Sequence, residues 1–165
     1  SIIKSIDKSI EIQKPLLLPH LFDFLTIIST MSTSFITQKF KDDVWPELLH
    51  ILEVIYSNSN IIQTAYYKQK TKSMHTPINK FSIELKLKIS IFTYLSTILT
   101  IESTNEYIRY NYLTVLWLIS PFLSTDWVDS SLVDLCKQIV SSMHKTNRAL
   151  VVTYFSIFLN NKTGN

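Results

Sequence analysis

The spacing of apolar residues constrains the fold of this chain more than any other feature. Along nearly the whole length they recur at steps of three and four, as in the first segment, where they are Ile2, Ile3, Ile6 and Ile10. Residues at these steps share one face of an α-helix. The sequence lacks the sustained alternation that marks strands, and it lacks Asn-Gly and Asp-Gly hairpin turns. It therefore predicts an all-α fold.

Prolines and acidic residues mark where the predicted helices begin and end. Pro15 ends the first helix, because the residue before a proline disfavours the α conformation. The expected N-cap of the third helix is Asp42 or Asp43, and that of the sixth is Asp126. About seven helices are predicted in one domain over residues 1–160, followed by a tail at 161–165. The helices cover residues 1–14, 19–32, 43–56, 83–101, 107–122, 126–145 and 148–159.

The apolar period is lost between Ser57 and Pro77, which predicts one long loop, with a short helical turn at residues 61–67. Within it Lys68, Lys70 and Lys72 carry positive charge with no acid nearby. These lysines belong either to a solvated loop or to a docking site for an acidic partner.

Two helical architectures fit these segments, a closed bundle and a stack of helix pairs. Pro19, Pro77 and Pro121 open or close helices at intervals comparable to the period of HEAT and armadillo repeats, about 40 to 47 residues. The charged fraction of 18% is low, as expected for a segment that stacks on neighbours. The sequence therefore predicts an α-solenoid of HEAT-like antiparallel helix pairs. Because it begins at Ser rather than Met, we expect it to be part of a longer protein.

The composition excludes several kinds of catalytic site. Glycine occurs once, at Gly164, so neither a glycine-rich phosphate loop nor a GxSxG nucleophile motif can form. The lone Cys136 excludes a disulfide within the chain, and we expect its thiol to be buried and inert. None of the four histidines lies in a metal-binding pattern. We therefore assign no catalytic, cofactor-binding or metal-binding residue, and predict that the chain is not an enzyme.

Charge and hydropathy bear on the classes of partner. A net charge of +3 without a basic helix face gives no indication of nucleic-acid binding. The apolar stretches end well before the roughly 20 residues that span a bilayer, and charges within the first apolar segment lead us to expect no signal peptide there. The abundance of Ile, Asn and Lys over Ala indicates an AT-rich genome, which predicts a fungal source.

Aromatic residues are the remaining candidates for function. One group lies between residues 107 and 127, and it comprises Tyr107, Tyr110, Tyr112, Trp117, Phe122 and Trp127. A second group, Tyr154, Phe155 and Phe158, lies near the end of the chain. Each residue either fills the core or anchors a protein interface. We take the second group, with the three lysines, as candidate partner-binding residues.

Residues 34–52 carry a motif that resembles the C-terminal HEAT region of the Tel-two-interacting protein one family. The matching residues are Phe35, Lys39, Phe40, Asp43, Val44, Trp45, Pro46 and Leu48. Weaker matches further on extend the resemblance over about residues 20–100. We expect a structural role for five residues of the motif, namely Phe35, Phe40, Asp43, Trp45 and Pro46.

The resemblance implies a subunit of the TTT co-chaperone complex, an α-solenoid without an active site. Such a subunit supports the folding, stability and assembly of phosphatidylinositol-kinase-related kinases in the cytoplasm, with the nucleus as a second location. Its partners would be other TTT subunits, these kinases and chaperone adaptors. Two alternatives stay open: another HEAT or armadillo scaffold, such as a karyopherin-type transport receptor, and the helical part of an enzyme whose catalytic region lies elsewhere.

Overall fold

The computed structural model describes residues 17–31, 39–72, 82–124 and 128–163, and these residues contain helices and short connections but no strand. The prediction of an all-α fold is confirmed. In chain order the α-helices are α1 (Leu17–Met31), α2 (Trp45–Lys72), α3 (Ser82–Thr100), α4 (Glu102–Ile108), α5 (Tyr112–Ile119), α6 (Ser130–Thr146) and α7 (Arg148–Thr163). A π-helical turn at Phe40–Val44 leads into α2, and 3-10 turns at Arg109–Asn111 and Ser120–Leu123 flank α5.

Helix α3 lies at the centre of the helical array. It packs against α1 on one side and α6 on another, while α2 packs against α5. Helices α6 and α7 are joined by Asn147 alone and pack against each other as a helical hairpin. Fully buried side chains of α3, including Ile91, Leu95 and Ile98, lie in the shared core. The described part of the chain is therefore an all-α helical repeat with its core between packed helices.

The predicted loop at residues 57–77 is wrong over its first part, because α2 continues to Lys72. Side-chain hydroxyls at the expected break bond back to the helix: Ser57 donates to the Glu53 carbonyl at 2.9 Å, and Ser59 donates to the Tyr56 carbonyl at 2.6 Å. Poor helix formers such as serine and asparagine cost at most about 0.7 kcal/mol each. Burial of the preceding helical turns, including Leu52 and Ile55, outweighs that cost. Residues 73–77 lie outside the described part.

Two of the predicted N-caps are corrected. Asp42 and Asp43 cap no helix, since both lie in the π-helical turn, where Asp43 pairs with Lys39 at 3.7 Å. Asp126 lies outside the described residues. Helix α6 is capped instead by Asp129, whose carboxylate accepts a hydrogen bond from the Ser131 amide at 2.9 Å.

Several predicted helix bounds also differ. The single helix expected over residues 107–122 is divided at the 3-10 turn before Tyr112. The expected tail at 161–165 is helical as far as Thr163. The first predicted helix, residues 1–14, lies outside the described part.

The π-helical turn places an aromatic pair at the start of α2. Phe40 and Trp45 are both buried, and their ring centroids lie 5.9 Å apart. Tyr107 of α4 meets Phe40 edge to face at 6.1 Å, so the pair joins the start of α2 to α4. Pro46 is exposed, and Phe35 lies outside the described residues. Trp45 is thus a packing residue where the chain enters its longest described helix.

Candidate partner-binding surface

The described residues hold few groups that could carry chemistry. They contain no cluster of three or more His, Cys, Asp or Glu side chains that could hold a metal ion. Among the described helices, none combines the length and the apolarity needed to cross a membrane. The histidines His20, His50 and His144 are exposed and lie on separate helices. The exposed surfaces are therefore the remaining candidates for function.

Cys136 of α6 is fully buried, and burial raises the pKa of its thiol to about 12. A thiol reacts as the thiolate, and a free cysteine has a pKa of about 8.5. In native buffer near pH 8 we expect modification by a disulfide reagent to be slower than in urea by on the order of a thousandfold. The measurement is the release of the reagent's chromophore with time, with and without urea. Rapid labelling of the folded chain would contradict the buried position.

The candidate lysines lie in the last turns of α2. The backbone of Lys68, Lys70 and Lys72 is helical, so they do not form the exposed loop that the sequence predicted. Their side chains are outside the described part, and their role as partner contacts stays a prediction.

The candidate aromatic residues of α7 form one cluster. Tyr154 meets Phe155 edge to face at 5.3 Å and stacks on Phe158 at 6.2 Å. All three side chains are half-buried, between full core and free surface. The cluster links α7 to the neighbouring helices through the phenol of Tyr154.

That phenol lies where α2, α5 and α7 meet. Burial raises the pKa of Tyr154, the nearby Ser120 hydroxyl opposes the rise, and Tyr56 of α2 adds to it. The Tyr154 hydroxyl is buried and makes no hydrogen bond of ordinary geometry among the described residues. The Ser120 hydroxyl itself donates to the Trp117 carbonyl at 2.8 Å. The junction is therefore packed through aromatic rings, with little polar bonding.

The aromatic residues between positions 107 and 127 differ in their burial. Tyr112 and Phe122 are buried in the core, whereas Tyr110 and Trp117 are among the most exposed large side chains. Trp127 lies outside the described residues. The ring of Trp117 rests on that of Tyr56, with centroids 5.9 Å apart. Trp117 belongs to the aromatic group considered from the sequence, but not to the residues that the sequence predicted to bind a partner.

Helices α5 and α7 contain few charged residues. No Asp, Glu, Lys or Arg occurs from Tyr110 to Ser124, nor from Ala149 to Asn161. The first stretch contains α5, and the second forms most of α7. Exposed apolar side chains on both helices include Leu113, Trp117, Val152 and Ile157. A surface of this composition is typical of protein contacts.

Comparison with known protein families gives a match over most of the chain. Residues 6–151 match the family described as the TTI1 C-terminal TPR domain. The chain belongs to the TTI1 family. The resemblance found at residues 34–52, to the Tel-two-interacting protein one family, is thereby confirmed. No match was found among the curated proteins or among the solved structures.

The TTI1 family match agrees with the helical architecture. Its description names a TPR domain where the sequence predicted HEAT-like pairs, and both types stack helix pairs into a solenoid. The matched region begins before α1 and ends at Val151, in the first turn of α7. Most of α7, including the cluster around Tyr154, therefore lies C-terminal to the residues that match the family.

Proposed function

We propose that this chain is a non-catalytic scaffold segment of a TTT-like co-chaperone complex, which supports the folding, stability and assembly of phosphatidylinositol-kinase-related kinases. The observation that carries the proposal is the match of residues 6–151 to the C-terminal domain of TTI1. Its partners are other subunits of that complex, the kinases and chaperone adaptors, and its location is the cytoplasm, with the nucleus as a second location.

The exposed surfaces of α5 and α7 are suited to a scaffold that binds other proteins. Scaffolds of stacked helices present long surfaces and bind through side chains from several helices. Here the uncharged stretches of α5 and α7 leave apolar side chains exposed, among them Trp117 and Ile157. Contiguous exposed apolar surface is a mark of protein–protein interaction sites. We include the half-buried ring cluster of Tyr154, Phe155 and Phe158 among the partner-binding residues.

The test is carried out with the full-length parent protein in its native cells. On rapid depletion of the parent, we expect the kinases to be made at their normal rate but to disappear several-fold faster than in control cells. Pulse labelling followed by immunoprecipitation measures both quantities. The kinases and the other TTT subunits should also co-purify with a tagged form of the parent protein. Unchanged kinase lifetimes, or a purified parent without these proteins, would contradict the proposal.

A further inference from the structure

One line of exposed apolar side chains runs along α5 and the turn before it. Tyr110, Leu113 and Trp117 lie at i, i+3 and i+7, and they are 79%, 55% and 53% exposed. This spacing places them on one face of the helix. We call these three residues the α5 stripe. The opposite face is apolar and buried, and Thr114 is the one exposed residue of α5 that is not apolar, so the helix lacks the charged side that a solvent-facing helix normally presents.

The indole ring at the C-terminal end of the stripe packs against an aromatic ring of another helix. Trp117 rests on the ring of Tyr56, and the turn that follows it is fixed by the hydrogen bond from Ser120 to its carbonyl. A side chain that is already held in place loses little conformational freedom when a partner covers it. Tryptophan is also enriched among the residues that carry most of the binding energy in protein interfaces. The stripe therefore has a preorganised anchor.

The positively charged side chain of Arg109 lies beside Tyr110, the first residue of the stripe. The guanidinium of Arg109 lies 5.3 Å from the centroid of the Tyr110 ring and is within 3.5 Å of its hydroxyl. Arg109 is exposed and makes no ion pair with any carboxylate of the described residues, although Glu106 lies one turn earlier. A guanidinium held against an aromatic ring can still bind a carboxylate through two parallel hydrogen bonds.

We propose that the α5 stripe binds an amphipathic helix of another protein, whose apolar residues cover Leu113 and Trp117 and whose Asp or Glu side chain pairs with Arg109. The proposal rests on the proposed scaffold function and names the surface that performs it. Seven residues of helix span about 10 Å, which two turns of a partner helix would cover.

Charge favours such a partner over a second copy of this chain. Two copies that met antiparallel through the stripe would place Arg109 against the other end of α5, which carries no charge. A parallel arrangement would bring the two Arg109 side chains together, and like charges repel. A second copy could offer only its Glu106 to Arg109, and it would bring its own Arg109 close by, whereas a different protein can supply a carboxylate without a second cation while it covers Trp117.

The experiment places a photoreactive phenylalanine derivative at position 117 of the full-length parent in its native cells. Light-induced crosslinks are mapped by mass spectrometry to single residues. We expect them to fall on one helix of a different protein, with Asp or Glu within about two turns of the crosslinked residue. The same derivative at position 27, an exposed apolar site on α1, is the control and should not label that helix.

Charge reversal then tests the ion pair. Arg109→Glu should weaken the purified complex by about tenfold or more, and Lys at the mapped acidic residue of the partner should restore binding. Trp117→Ala should weaken it by at least about tenfold, while the urea midpoint moves far less than it does for Trp45→Ala. Crosslinks into a second copy, crosslinks confined to the same chain, or none at all would overturn the proposal. If the TTT subunits still co-purify in that case, the scaffold function stands and only this surface is wrong.

Discussion

Replacement of Trp45 by alanine should lower the free energy of unfolding by about 3 kcal/mol or more. The side chain is 2% exposed and packs against Phe40, which in turn meets Tyr107 of α4. Truncation would leave a cavity that these rings cannot fill without moving the π-helical turn. Because whole domains unfold with only about 5 to 15 kcal/mol, the loss would be a large fraction of the total stability.

Urea unfolding followed by circular dichroism measures this loss, and the chain supplies its own control. Trp117→Ala removes the same kind of side chain from a position that is 53% exposed, so we expect a change of about 1 kcal/mol at most. Trp45→Phe keeps most of the buried ring and should cost less than Trp45→Ala. The indole nitrogen of Trp45 makes no hydrogen bond among the described residues, so its removal forfeits little there. Equal urea midpoints for the unsubstituted chain and Trp45→Ala would contradict the packing role.

Helix type was predictable from this sequence because the apolar spacing is sustained. The prediction failed at residues 57–72, where a run of serine and asparagine indicated a loop. Those residues are weak helix formers, yet Ser57 and Ser59 satisfy their hydroxyls on carbonyls within the helix. The packing of Leu52 and Ile55 against distant segments decides the outcome, and one stretch of sequence does not contain that information.

The exposed surface was harder to predict, and α5 shows why. Tyr110 and Tyr112 are two residues apart and chemically identical, yet one is 79% exposed and the other is fully buried. A helix reveals its buried face through a contrast between apolar and polar sides. Residues 110–124 have no charged side to provide that contrast. Which face is covered depends on how α2 and α6 pack against α5, so the stripe became visible only in the structure.

Removal of α7 should abolish binding of the partner proteins. The helix buries Val151, and it places Tyr154 at the junction with Tyr56 and Ser120. It also packs along α6, so deletion of residues 148–163 uncovers apolar surface on the rest of the chain. We expect the shortened protein to bring down no TTT subunit and to self-associate. Size-exclusion chromatography with light scattering, with and without the partners, measures both effects.

Point variants separate a binding role of α7 from its packing role. Val152 and Ile157 are 49% and 58% exposed, so Val152→Lys combined with Ile157→Lys should keep the helix content and the urea midpoint. The same pair should weaken partner binding by about tenfold or more if the outer face of α7 is part of the interface. Gln138→Lys with Ser141→Lys on the exposed face of α6 adds equal charge and serves as the control. Full binding by the deletion variant would instead place the whole interface before α7, within the region that matches the TTI1 domain.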